Sequence, residues 1–104
     1  MSENPKGRTI EAYAESLGIS FAPPDPVLQR DLEGFFKAHR KRGGGTADQS
    51  SFENNGAAVR AACDMGWING LTADAVDTMR PPVVMWLSSL VNQLIAAAFD
   101  VPGE

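Results

Sequence analysis

The chain has 104 residues, of which 43% are hydrophobic and 21% charged, and a net charge of −4. That length suits one domain with a modest core, and the balance of residue types excludes wholesale disorder. An acidic excess disfavours non-specific binding to nucleic acid or anionic membrane, but it is unevenly spread: seven Lys/Arg face six Asp/Glu through Arg42, and two face seven from Gly43 onward.

Taken in chain order, residues 1–8 read as a flexible polar tail with no apolar stretch of the kind a secretory signal needs. A single domain is expected over 9–100, and residues 101–104 form a second short tail. The first helix is predicted to begin with Thr9 as N-cap and to end near Leu17, with Gly18 in the left-handed position beyond it. Ile10, Tyr13, Ala14 and Leu17 give it one apolar stripe. Ala22-Pro23-Pro24-Asp25-Pro26 then breaks the chain. A second helix is predicted to start with Asp25 as cap and Pro26 as first residue. On it Leu28, Leu32, Phe35, Phe36 and His39 share a face, and its basic end meets Gly43-Gly44-Gly45 at the start of a mobile loop over 43–50.

The third helix has two possible starts: a capping box from Ser50 to Glu53, or a later cap at Asn55 after a turn. Val59, Ala62 and Cys63 point inward in either case, and Gly66 ends the helix. Asn69-Gly70 makes a turn, and a short fourth helix follows with Thr72 as N-cap and a hydrophobic staple between Leu71 and Val76. The fifth helix, about Pro81 to Phe99, carries no charge between Arg80 and Asp100. Its polar residues, Ser88, Ser89, Asn92 and Gln93, form one narrow stripe, and the rest is apolar enough to organise the core. No strand is expected. The fold class is therefore all-α, a small bundle of about four to five helices around a long apolar C-terminal helix.

No catalytic or metal site is legible. His39 is the only histidine and has no Cys or His at metal spacing. Cys63 is the only cysteine, so no internal disulfide forms; it sits among alanines with no activating base, and its solitude suits a reducing cytoplasm. Gly43-Gly44-Gly45-Thr46 lacks the lysine and the preceding strand of a phosphate-binding loop. The helix-turn-helix cadence of 61–79 would carry Asp74 and Asp77 into a phosphate-lined groove, so an ordinary helical corner is the better reading. Carboxylate pairs such as Asp31/Glu33 belong to solvated helix faces. No enzyme, cofactor or small-molecule substrate is expected.

Two features remain. The fifth helix has more apolar surface than four short partners can cover, and uncovered apolar surface marks interaction sites. The expected protein interface is Trp86, Leu87, Leu90, Val91, Leu94 and Phe99, binding a protein partner or a second copy. The length of this helix also approaches that of a membrane span, but adjacent Asn92 and Gln93 disfavour one. The alternative is a nucleic-acid patch of Lys37, Arg40, Lys41 and Arg42, although cations at a helix C-terminus also satisfy the helix dipole.

The last 40 or so residues resemble small head and tail assembly accessory proteins of tailed bacteriophages. Gly66-Trp67-Ile68, Leu71-Thr72, Met79-Arg80-Pro81-Pro82-Val83-Val84-Met85-Trp86-Leu87 and Val101-Pro102-Gly103-Glu104 carry the likeness. They reproduce a cadence of short acidic helix, proline, long apolar helix and proline-containing tail. The resemblance implies a non-enzymatic role in virion assembly, as chaperone, adaptor or capsid- or tail-associated protein, in the cytoplasm of a bacterial host. It transfers no individual functional residue.

Overall fold

The structure is a computed structural model that describes residues 9–46 and 50–100. The expected terminal tails and residues 47–49 of the glycine-rich loop lie outside them. The described chain is mostly helical, in the order α1 (Ile10–Ser16), β1 (Ser20–Phe21), α2 (Gln29–Lys41), α3 (Ser51–Asp64), β2 (Ile68–Asn69), a 3₁₀ helix (Ala73–Thr78) and α4 (Pro81–Ala98).

Local capping chemistry sets most of these boundaries. The Thr9 hydroxyl accepts the Ala12 N–H at 3.0 Å, and Gly18 leaves α1 with φ +80°. Of the two starts open for α3, the capping box holds: Ser50 Oγ accepts the Glu53 N–H at 3.2 Å while the Glu53 carboxylate accepts the Ser50 N–H at 2.9 Å. Thr72 Oγ1 accepts the Ala75 N–H, but the six residues that follow wind as a 3₁₀ helix. Its ends are closed by i→i+3 bonds, Ala75 N–H to Thr72 O and Met79 N–H to Val76 O.

The start of α2 differs from expectation. Asp25 does not cap it and Pro26 is not its first residue; the helix begins at Gln29. The acid that works there is Asp31, whose carboxylate accepts the Leu28 N–H at 2.8 Å and satisfies a donor of the first turn. Leu28 and Phe36 stand 43% and 39% exposed, while Leu32 and Phe35 are buried.

The two short strands were not foreseen. Ser20 pairs with Asn69 and Phe21 with Ile68 in antiparallel register, and the Ala22 N–H adds a bond to Trp67 O at 2.7 Å. Two residues are too few to show an alternating pattern, so this pairing is made by tertiary approach. The approach is close: Gly70 has φ +81°, and a side chain there would overlap the Gly18 carbonyl.

The core is organised by α3 more than by the expected C-terminal helix. α3 packs against α4, α2, the 3₁₀ helix and β2, whereas α4 meets mainly α3 and α1. The reason is size. Gly56, Ala57, Ala58, Ala61 and Ala62 are all buried and leave room for neighbours on several sides. Phe35, Val59, Val83, Leu87 and Val91 are the largest fully buried side chains. Each is worth about 1.5–3 kcal/mol of burial.

Candidate interaction surface

α4 packs against α3, and its Val83, Leu87 and Val91 are all 0% exposed. Ser88 joins them at 2% exposure because its hydroxyl donates to Asn55 Oδ1 at 3.0 Å, so a residue of the expected polar stripe is a satisfied core polar group. The opposite side of α4 is open. Pro82, Met85, Ser89, Asn92, Ala96 and Phe99 are exposed along it, with Met85 at 49% and Phe99 at 69%.

The expected interface residues therefore divide. Leu87 and Val91 are core and present nothing to a partner, because their side of the helix is the one α3 covers. Trp86, Leu90 and Leu94 are partly buried and packed against the core. Of the six, only Phe99 is freely exposed. Met85 and, on the first turn of α3, Phe52 at 65% exposure are apolar residues that sequence reasoning passed over. They flank a groove of about 490 Å³ floored by Gly56, Val76 and Val84. A second groove of about 480 Å³ lies on the other side of Met85, where the start of α1 approaches Trp86 and Ser89.

The basic end of α2 also divides. Arg42 is committed: its Nε and Nη2 donate to Asp64 Oδ2 and Oδ1 at 2.8 and 2.7 Å, tying α2 to α3. That fork holds the Asp64 carboxyl below its usual range. Lys37, Arg40 and Lys41 are exposed and have no ion pair among the described residues. Arg60 of α3 is engaged separately, by Asp77 of the 3₁₀ helix.

His39 lies inside this end of α2. Its ring stacks on Phe35 at 5.8 Å and 10°, and Phe35 stacks in turn on Trp67 at 5.2 Å and 6°. His39 Nε2 is buried with no hydrogen-bond partner among the described residues, close under the buried Gly44, where any side chain would overlap the imidazole. The ring thus packs as part of an aromatic stack that runs into the core. Cys63 is half-buried on α3, and desolvation, with a smaller push from the Asp64 charge, raises its thiol to about 11. Among the described residues no group of three or more His, Cys, Asp or Glu is placed to hold a metal ion.

α4 is long and apolar enough, at 18 residues and mean hydropathy 1.3, to pass the length and composition test for a membrane span. A core helix passes the same test. Comparison with known protein families, curated protein sequences and solved structures yields no match.

Proposed function

We propose that the chain is a non-enzymatic protein–protein interaction module, a small helical bundle that presents the outer side of α4 to its partner. The observation that carries this reading is the exposure of Met85 and Phe99 on a helix without a single charged side chain over Pro81–Ala98. Large apolar residues left open on an uncharged surface gain most when another protein covers them. The likeness of the last 40 residues to phage assembly accessories agrees with this class of activity and makes a role as virion chaperone, adaptor or capsid-associated protein the biological form we favour.

The test is affinity capture from the native source with the wild-type protein and a Met85→Glu/Phe99→Asp double variant. Both positions are exposed, so the variant keeps its fold, which circular dichroism checks. A partner retained by the wild type at high salt and lost by the variant is the expected result. Equal capture by both proteins would overturn the reading.

A nucleic-acid-associated regulator is the second reading. It is favoured by the three exposed cations Lys37, Arg40 and Lys41, gathered on the last turns of α2. Arg42 contributes less to it, being held by Asp64.

A further inference from the structure

The sequence holds two Asn-Gly pairs, Asn55-Gly56 and Asn69-Gly70, and the fold treats them differently. Asn55 lies inside α3, where its side-chain oxygen accepts the Ser88 hydroxyl at 3.0 Å and the glycine after it is buried. Asn69 is exposed at the last position of β2, where the chain bends. Among the described residues neither its carboxamide nor the Gly70 N–H has a hydrogen-bond partner.

Packing fixes the residue that follows Asn69. Gly70 has φ +81°, and a Cβ there would overlap the Gly18 carbonyl oxygen. The fold therefore demands at position 70 the one residue whose amide nitrogen no side chain shields. An exposed, unbonded carboxamide beside an unshielded, unbonded amide is the arrangement in which the backbone can attack its own side chain.

We propose that Asn69 is a site of spontaneous deamidation, converted through a cyclic imide to aspartyl and isoaspartyl forms. The Gly70 nitrogen gives up its proton to solvent and bonds to Asn69 Cγ. The bond from Cγ to the side-chain nitrogen breaks, and that nitrogen leaves as ammonia after taking up a proton. Water then opens the five-membered imide. Attack at Cγ restores the ordinary backbone and leaves an aspartyl side chain; attack at the Asn69 carbonyl carbon leaves the chain running through Cγ, as isoaspartate. Each route consumes one water and releases one ammonia, and no redox partner is needed.

Ring closure requires the Gly70 nitrogen to swing toward the side chain, which takes Asn69 out of its extended conformation. The swing breaks one rung, Ser20 with Asn69, at the end of a pairing only two residues long. A two-stranded pair so short has little stability of its own, and such edges open far more readily than packed elements do. The same step at Asn55 would have to open α3 against α4 and break the bond to Ser88, so the core protects that pair.

The two products part company in their effect. The aspartyl form keeps the backbone, and an exposed carboxylate replaces an unbonded amide, so the fold is retained. The isoaspartyl form lengthens the chain by one carbon–carbon bond, about 1.5 Å. Gly70 lies too close to Gly18 to absorb that length. The Ser20–Asn69 rung is then lost, which loosens the neighbouring bond from the Ala22 N–H to Trp67 O.

The experiment incubates the wild-type protein in mildly alkaline buffer, folded and in urea, and follows the amide-to-acid mass gain at each pair by peptide mapping. In the folded protein Asn69 should convert at least about tenfold faster than Asn55, because only Asn55 waits on the opening of a packed helix. In urea the two pairs should convert at similar rates. Isoaspartate is read separately, by methyl transfer from S-adenosylmethionine with an isoaspartyl methyltransferase; an Asn69→Gln variant should lose that signal and an Asn55→Gln variant should keep it. Folded protein that retains Asn69 while the urea sample loses it overturns the proposal, since the β1–β2 pairing would then protect the site. Equal conversion of both pairs in the folded protein also overturns it, because the reaction would then run through global unfolding.

Discussion

Cys63 shows how a single environment decides reactivity. Among alanines it reads as a small buried hydrophobe, and the structure half-buries it on α3, where the cost of desolvating a thiolate lifts the thiol from its ordinary 9.0 to about 11. Two outcomes are expected. At pH 8 iodoacetamide should alkylate Cys63 far more slowly in the native protein than in urea, measured by intact mass; equal rates would mean that α3 opens freely. The alkaline stability has a definite sign as well. Between about pH 9 and 11 the folded chain keeps a proton that the unfolded chain has released, so this contribution is present below that window and is lost as pH rises through it. A Cys63→Ala variant should lack that part of the alkaline destabilisation in denaturant titrations. His39 makes a similar point about context: its spacing puts it on one helix face with Phe35, and the structure adds that the ring is stacked on Phe35 and lies under Gly44.

At the scale of the element, α4 has two sides with different duties, and substitutions on them should part company. Leu90 looks like an interface residue from hydrophobicity alone, yet it packs against the core. Leu90→Asp should therefore destabilise the fold by about 2 kcal/mol or more, because a carboxylate is drawn into an apolar contact. Met85→Glu, on the open side at 49% exposure, should stay within about 0.5 kcal/mol of wild type, as surface substitutions usually do. Urea unfolding of the two variants measures the contrast. Similar midpoints would show that the α3–α4 contact is looser than the burial of Leu87 and Val91 indicates. Ser88 sits between the two regimes: polar in type, buried by position, and kept there by its bond to Asn55.

For the molecule as a whole, charge distribution separates the two functional readings. Acidic groups dominate from Gly43 onward, while Lys37, Arg40 and Lys41 cluster on α2. Long-range repulsion from the acidic part works against a polyanion, and the cluster works for it at short range. The expected outcome is binding to duplex DNA no tighter than the non-specific range, about 10⁻⁴–10⁻⁶ M at physiological salt. A Lys37→Ala/Arg40→Ala/Lys41→Ala variant should leave capture of a protein partner unchanged. Fluorescence anisotropy across a salt series checks the first part; tight binding that falls steeply with salt and vanishes in the triple variant would move the function to α2.

Much of the fold was legible because helix ends are local. Thr9, Ser50 and Thr72 cap donors no more than three residues away, and Gly18 and Gly66 take left-handed conformations that few other residues adopt, so a short window of sequence contains the whole cause. The uncharged span of α4 was equally plain. Tertiary structure decided what those windows do not contain. Asp31 displaced Asp25 as the capping acid of α2, and Ser20–Phe21 found Ile68–Asn69 across nearly fifty residues. The hub passed to α3, because small side chains there let several elements approach at once. The candidate surface depended on the same distant packing: Leu87 and Val91 went inside, and Met85, Phe52 and Phe99 stayed outside. Hydrophobicity belongs to the residue, but exposure belongs to the set of elements that pack around it, and only the folded chain assembles that set.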